Sequence, residues 1–523
     1  MAFTMEEGGF GVGDYVAFGV LCASSCAGGV WYSAVGSRTK AILDIKDYLL
    51  GGKAMSTFPV AMSLIASYVS GVTILGTPAE IYNYGTQYWL VIFGVILSCM
   101  VVATVYLPVF CTLRLSSSYE YLELRFNRHV RAVASILFLL DEVLFLPMVV
   151  YVPALAFNQL TGFNVFIVGG AMVAICGLYT VLGGLRAVVW TDSVQTGIMF
   201  IGVLLVAAAG TMAVGGVNAV LDTAKESGRL DLSNWDFSPY ERQTGWGAVI
   251  GGFLYWTCFN SVNQTMVQRY IALPSKRKAV ISLSAVLNAC SLVAVEDIMH
   301  GWLRLRLSPL TEGILARTVT AALALLSVVT LLVIEKLGGV LGVATALSAI
   351  AASATCGMFT LGMACWWVGP RGAAAGAAAG ALLAGAVSLG TQAAAARGLR
   401  APPLDVPASC GLNSTFVLED SLDPETVFPL FRLSYHWIAP LGLLATLVVG
   451  AIVGWFFDKK DSSKMDAELY TPIIWKWLPT EAHDNCGITR RNLNNKELDA
   501  PAPSAPLIME QMSDKVELNG ETS

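Results

Sequence analysis

The chain has 523 residues, 55% of them hydrophobic and 13% charged, with a mean hydropathy of +0.64. Soluble domains carry about twice that charged share, so the composition indicates a polytopic membrane protein. The net charge of −5 discriminates nothing, and the basic residues fall in small groups between apolar runs, which excludes a nucleic-acid-binding domain.

The N-terminus, "MAFTMEEGGFGVGD", is acidic and lacks the basic start of a cleaved leader, so the first apolar run, 13–35, is expected to remain as a transmembrane helix. Its "GGFGVG" follows no strand and is not a dinucleotide loop. Further runs of spanning length lie near 56–77, 87–113, 132–157, 163–182, 188–214, 244–266, 316–336, 340–368, 372–393 and 436–457. Arg38, Lys40, Lys46 and Lys53 follow the first run. Arg114, Arg125, Arg128 and Arg131 follow the third, Arg186 the fifth, and Arg269, Lys276, Arg277 and Lys278 the seventh. Connections 78–86 and 158–162 hold no Lys or Arg, so the positive-inside rule puts the N-terminus outside and the C-terminus in the cytoplasm. Loop 394–435 then faces outward with a glycosylation sequon at Asn413. The first 457 residues are expected to form the transmembrane domain, and 458–523 a mostly disordered cytoplasmic tail.

Gly372, Gly376 and Gly380 recur on one helix face, a spacing that lets helix backbones approach closely in lipid. The eleven cysteines lie mostly inside apolar runs and form no CxxC pair, which favours buried structural thiols over zinc or redox chemistry. The four histidines show neither metal-ligand nor triad spacing, which disfavours an enzyme.

Two apolar runs are interrupted in mid-span. One is "SLIASYVSGVTILGTPAEIYNYG", with Ser67, Tyr68, Ser70, Gly71, Thr73 and Gly76 ahead of Pro78; the other is "GGFLYWTCFNSVNQTMVQRY", with Asn260, Asn263 and Gln264. Small and polar residues in mid-span let a helix unwind and free backbone carbonyls that an ion or substrate can take. A pair of such breaks points to the midplane site of a secondary transporter, against the plainer reading of polar contacts between helices. Asp141 and Glu142 sit inside another span. A carboxylate there costs about 2.5–3.5 kcal/mol on insertion scales, so function or pairing with a neighbouring helix are the two readings. Asp192 opens a span at its cytoplasmic end, where on its own it reads as a cap.

Several stretches resemble the sodium/solute symporter family, in its animal branch of sodium-coupled monocarboxylate and sodium-dependent multivitamin transporters. They are "DYLLGGK" (47–53), "LGTPAEIYNYGTQYW" (75–89), "YEYLELRFN" (119–127), "VYVPALAFNQLTG" (150–162), "GGLRAVVWTDSVQ" (183–195), "VNQTMVQRYIALPSKRKA" (262–279) and "FRLSYHWIAPLG" (431–442). The resemblance implies an all-α, leucine-transporter-type core of two inverted repeats with extra helices at both ends, the first repeat over about 54–214 and the second over about 243–368. It implies sodium as the coupling ion, a small organic anion as substrate, and a plasma-membrane location. Carried over by motif position, the carbonyls of Ala66 and Val69 are sodium ligands, Tyr68, Thr73 and Asn263 face substrate, and Asp192 lies on the ion's exit path.

One stretch departs from that pattern. "SLSAVLNACSLVAVED" (282–297) is too short to span and matches the end of the family's eighth core helix, placed directly after the loop that precedes the seventh. The second repeat is therefore expected to be incomplete. Of two adjacent hydroxyl ligands, one position falls on Ile281 and the other on Ser282, with Ser284 as the substitute one step along. Residues 282–297 are expected to form a re-entrant or interfacial helix. A symporter and a transport-incompetent variant that partners a full-length transporter both remain open at this point.

Overall fold

The computed structural model describes residues 11–37, 57–69, 71–113, 115, 117–271, 292–305, 309–334, 340–397, 399, 404, 426–458 and 465–486. Among the described residues the regular structure is helical, without a strand. The chain begins with α1 (Val12–Ser37), then α2 (Thr57–Tyr68) and α3 (Gly71–Tyr84). A 3₁₀ turn at Thr86–Leu90 leads into α4 (Val91–Val101), a π turn at Val102–Tyr106, and α5 (Leu107–Leu113). The short α6 (Glu120–Arg125) precedes the long α7 (Arg128–Thr161) and α8 (Val165–Ala213), with α9 (Val217–Glu226) after them. A π turn at Gly247–Gly251 opens α10 (Gly252–Val262), followed by α11 (Gln264–Ile271) and a π-helix, Val293–Trp302. The chain continues through α12 (Pro309–Ile334), α13 (Val340–Ala364), α14 (Pro370–Ala396), α15 (Ile438–Phe457) and a short α16 (Thr480–Asp484).

Among the described residues, five helical stretches are long and apolar enough, by length and composition, to cross a membrane: 86–113, 128–161, 188–213, 370–395 and 435–457. The chain is a multi-pass membrane protein.

The expected separation of runs 163–182 and 188–214 is not found. They form one continuous helix, α8, of 49 residues. At 1.5 Å per residue that is about 74 Å, more than twice the hydrocarbon thickness of a bilayer. No proline interrupts this stretch, and the Gly183–Gly184 pair keeps helical geometry. Of the short apolar stretch 282–297, residues 282–291 lie outside the described residues, and Val293–Asp297 form the first half of the π-helix.

The core lies where α5, α6, α7 and α13 meet. Tyr121 stacks on Phe359 with ring centroids 5.4 Å apart, and Phe110 and Tyr119 close on the same ring at 5.8 and 6.2 Å. Part of the expected disordered tail joins this core. Residues 465–486 are ordered into short turns, with Ala467, Leu469 and Tyr470 buried. Leu469 O accepts from Tyr121 Oη at 3.0 Å, Thr471 N donates to Met363 O at 3.1 Å, and the Arg125 guanidinium lies 5.0 Å over the Tyr470 ring. Prolines 472 and 479 keep this segment out of a regular helix, so no period marks it in the sequence.

The glycine stripe does what its spacing suggests. A Cβ on Gly376 would lie 2.5 Å from Thr446 O and 2.9 Å from Gly450 Cα, and one on Gly372 2.7 Å from Gly450 O, so α14 and α15 touch backbone to backbone. Asp458 finishes the joint by accepting from Gly369 N and Gly372 N at 2.7 and 2.9 Å, which caps α14. Gly376→Val is expected to destabilise the protein by about 1–3 kcal/mol or more, because backbone must move to admit it. Gly197→Ala, where a Cβ meets nothing within 4 Å, is expected to leave stability unchanged or slightly raised. Thermal unfolding of the purified variants followed by size-exclusion chromatography measures both; equal transition temperatures would contradict the close joint.

Candidate functional site

Both interrupted runs are broken helices. α2 closes with Val69 N donating to Ile65 O at 2.9 Å, and the chain restarts as α3 at Gly71. A Cβ on Gly71 would lie 3.0 Å from the Pro153 ring of α7, so the restart seats directly on that helix. The second break is at Asn263, with φ −57° and ψ 129° between α10 and α11. Its carbonyl accepts from Met266 N and Val267 N at 3.0 Å, and its side chain accepts from Thr265 N at 2.8 Å. Asn263 therefore ends one half-helix and caps the next, which an asparagine does better than an apolar residue.

α7 touches the second break as well. Glu142 accepts from Thr265 Oγ1 at 3.4 Å, and Asp141 accepts from Ser348 Oγ of α13 at 2.5 Å. Asp141 and Glu142 are buried, and a cavity of about 20 Å³ lies between Asp141, Asn263, Thr355 and Phe259. That is room for one water or one bare ion. One helix thus carries the contact to the first break at Pro153 and the contact to the second at Glu142.

A third helix grips the first broken one. Asp192 Oδ2 accepts from Ser63 Oγ at 2.6 Å, Ser193 Oγ donates to Pro59 O at 2.8 Å, and Thr196 Oγ1 donates to Met62 O at 3.1 Å. Asp192, Ser193 and Thr196 share one face of α8, and that face holds α2 a turn before Ala66 and Val69.

Of the residues expected at the site, Ala66 and Val69 lie at the first break and are half-buried, and Thr73 is exposed on the first turn of α3. Asn263 and Glu142 lie together at the second break, with Asp141 beside them. The Tyr68 side chain, Ser282, Ser284 and Asn413 lie outside the described residues.

Two polar clusters escaped the sequence reading. At one end, Arg131 bonds Glu123 through Nη1 at 2.7 Å, Asp297 through Nε at 2.7 Å, and Glu296 O through Nη2 at 2.8 Å. Asp297 is fully buried and also accepts from Ser117 Oγ at 2.5 Å. This cluster fastens the π-helix to the corner between α6 and α7. At the other end, Arg242 holds Glu80 of α3 with a fork of bonds at 2.9 and 3.0 Å. Gln243 donates to Glu80 at 2.6 Å and bonds Tyr435 Oη at 3.1 Å. Arg131 is visible in the sequence as a topological charge, but Asp297, its partner, lies 166 residues away, and Glu80 lies 162 residues from Arg242. No local pattern announces such pairs.

Residues 48–281 match the sodium:solute symporter family. The chain is 44% identical over 286 residues to the sodium-coupled monocarboxylate transporter 1 of Mus musculus, covering 54% of this chain and 46% of that protein. It is 40% identical over 286 residues to the sodium-dependent multivitamin transporter of Oryctolagus cuniculus, covering 55% and 44%. To the sodium-coupled monocarboxylate transporter 2 of Mus musculus it is 29% identical over 545 residues, covering 90% and 88%. The chain thus spans about half the length of the first two relatives in these matches. A solved Na⁺-coupled sialic acid symporter, in a substrate-bound outward-open state, superimposes with a TM-score of 0.66 at 18% identity, over 85% of this chain and 98% of that one. The all-α, leucine-transporter-type fold expected from the sequence therefore holds.

The two clusters are expected to differ in strength. Asp297→Asn breaks a buried pair and should destabilise by about 3–5 kcal/mol. Glu80→Gln acts on a partly exposed pair and should cost no more than about 1 kcal/mol. Thermal or denaturant unfolding of the two variants in detergent compares them, and an equal loss would contradict the burial difference.

Proposed function

We propose that this chain is a sodium-coupled symporter of small organic anions, monocarboxylates or carboxylate-bearing vitamins, working by alternating access. It sits in the plasma membrane with its N-terminus outside and its C-terminus in the cytoplasm. The observation that carries this reading is the pair of broken helices, one ending at Val69 and restarting at Gly71 and the other broken at Asn263, both seated against α7. Broken helices at membrane depth are tolerated where they line a site that takes up the freed backbone groups.

Sodium is a hard cation that prefers oxygen ligands, and the carbonyls of Ala66 and Val69 supply them at the first break. Ser282 and Ser284 are the candidates to complete that site from the second repeat. Asp192 of α8, hydrogen-bonded to Ser63 of the helix that carries Ala66, lies on the ion's route to the cytoplasm. Thr73, Tyr68 and Asn263 face the substrate, and the buried pair Asp141 and Glu142 anchors the second half-site. An organic anion meets no described Lys or Arg at either break, so backbone N–H groups and hydroxyls hold its carboxylate.

Coupling follows from linkage. Sodium bridging the first repeat to the second favours the outward-facing state that accepts substrate, and substrate tightens sodium by the same factor. The membrane potential adds about 2.3 kcal/mol per charge per 100 mV. The Arg242–Glu80 fork closes the outer end and the Arg131–Asp297 cluster the inner end, so each must open in its turn. The inner cluster is the more buried, and its release is the costlier step.

Uptake of labelled lactate and of labelled biotin into proteoliposomes holding the full chain tests the proposal. At least one should accumulate tenfold or more in an inward sodium gradient over choline, and Asn263→Ala should reduce that uptake by about tenfold, roughly 1.4 kcal/mol. Equal uptake in sodium and choline for every carboxylate tried would overturn it.

A further inference from the structure

The π-helix Val293–Trp302 packs on α6, α7 and α12, and the Arg131 cluster fastens it on the side of α6 and α7. Toward α12, His300 stands between two carboxylates. Its Nδ1 lies 3.6 Å from Glu296 Oε2, one turn back in the π-helix. Its Nε2 lies 3.0 Å from Glu312 Oε1, in the first turn of α12. All three side chains are partly buried.

This arrangement suits one form of the imidazole. A neutral ring has one N–H and one bare nitrogen, so one of its two nitrogens would set a lone pair against a carboxylate. The imidazolium presents an N–H to each acid. The other charges here do not take its place. Arg131 of α7 bonds Glu123 of α6, Asp297 and the Glu296 carbonyl, and its bonds go to neither the Glu296 nor the Glu312 carboxylate. Arg304 follows the π-helix, and Arg317 lies beyond Glu312 in α12.

Contact with Glu296, and then the charge of Glu312, hold His300 above its ordinary 6.5 against the opposing effect of partial burial. Burial lifts Glu312 above its ordinary 4.5, while His300 pulls it back. A raised histidine value means that the contribution of the pair to the fold is complete below about pH 6.5 and is lost as pH rises through the raised value. Burial also pushes Asp297 up to about 6, so its titration has to be told apart from that of His300.

We infer that His300 is a proton-binding clasp between the π-helix and α12, closed on Glu296 and Glu312 when the imidazole is protonated and released when it is neutral. The proton then decides whether the π-helix is held on both sides or on the Arg131 side alone. The clasp belongs to the π-helix and not to a solute site, so it goes beyond the transport reading and holds whether or not the chain moves an anion.

Hydrogen–deuterium exchange of the purified full chain in nanodiscs at about pH 6 and about pH 8.5, corrected for intrinsic exchange, tests this. In the wild type, amides 293–302 should exchange at least about threefold more slowly at the lower pH. His300→Gln should remove the difference and leave exchange at the faster level. His300→Lys, whose charge persists at both pH values, should keep the slower level at each. Glu312→Gln should shrink the wild-type difference, and it serves if neither His300 variant folds. Equal exchange at the two pH values in the wild type would overturn the proposal. So would fast exchange in His300→Lys at the lower pH, or a pH difference unchanged in Glu312→Gln or in His300→Gln, which would assign the titration to Asp297. Failure of sodium-driven uptake with the His300-dependent exchange intact would count against the symporter alone.

Discussion

Hydrocarbon supplies no hydrogen bonds, and this constraint governs the rest of the structure. A helix in a membrane can stop in mid-span only where other protein groups, an ion or a substrate receive its open ends. This chain stops two helices that way and sets both ends on α7, through Gly71 against Pro153 and through Thr265 against Glu142. The position of α7 therefore decides whether there are two isolated defects or one site. Asp141, bonded to Ser348, ties the same helix to α13 and fixes its rotation next to the second break. α8 secures the other side by holding α2 through Asp192, Ser193 and Thr196.

Around that centre the rigid and the movable contacts are chemically distinct. α14 and α15 meet through glycine at backbone distance, a joint with no room for sliding. The contacts of Arg131 and Arg242 are ionic instead, and their hydrogen bonds can be exchanged for water. The cluster around Asp297 is shut off from solvent and the fork around Glu80 is not, so the two differ in how much free energy must be found to part them.

Much of this was legible in the sequence, where a property was local. Mid-span Ser, Gly and Asn residues marked both breaks, because unwinding depends on the residues at the break itself. The four-residue glycine spacing marked the α14–α15 joint for the same reason. The pairing of Arg131 with Asp297 and of Arg242 with Glu80 was not legible, since each joins residues more than 160 positions apart. The run-on of α8 through Gly183 and Gly184 was misread because composition shows a dip in apolarity there, while the helix stops only where hydrogen bonding stops. Residues 465–486 were read as tail because packing by isolated residues such as Tyr470 leaves no period. Ser282, Ser284 and Asn413 remain expectations from motif position.

The central claim is that the two helix breaks act as one site. Hydrogen–deuterium exchange of the purified full chain, compared in sodium and in choline, tests it most directly. Amides around 66–73 and around 261–266 should gain protection together in sodium, while α14 and α15 stay unchanged. Protection that changes at only one break, or at neither, would contradict the claim.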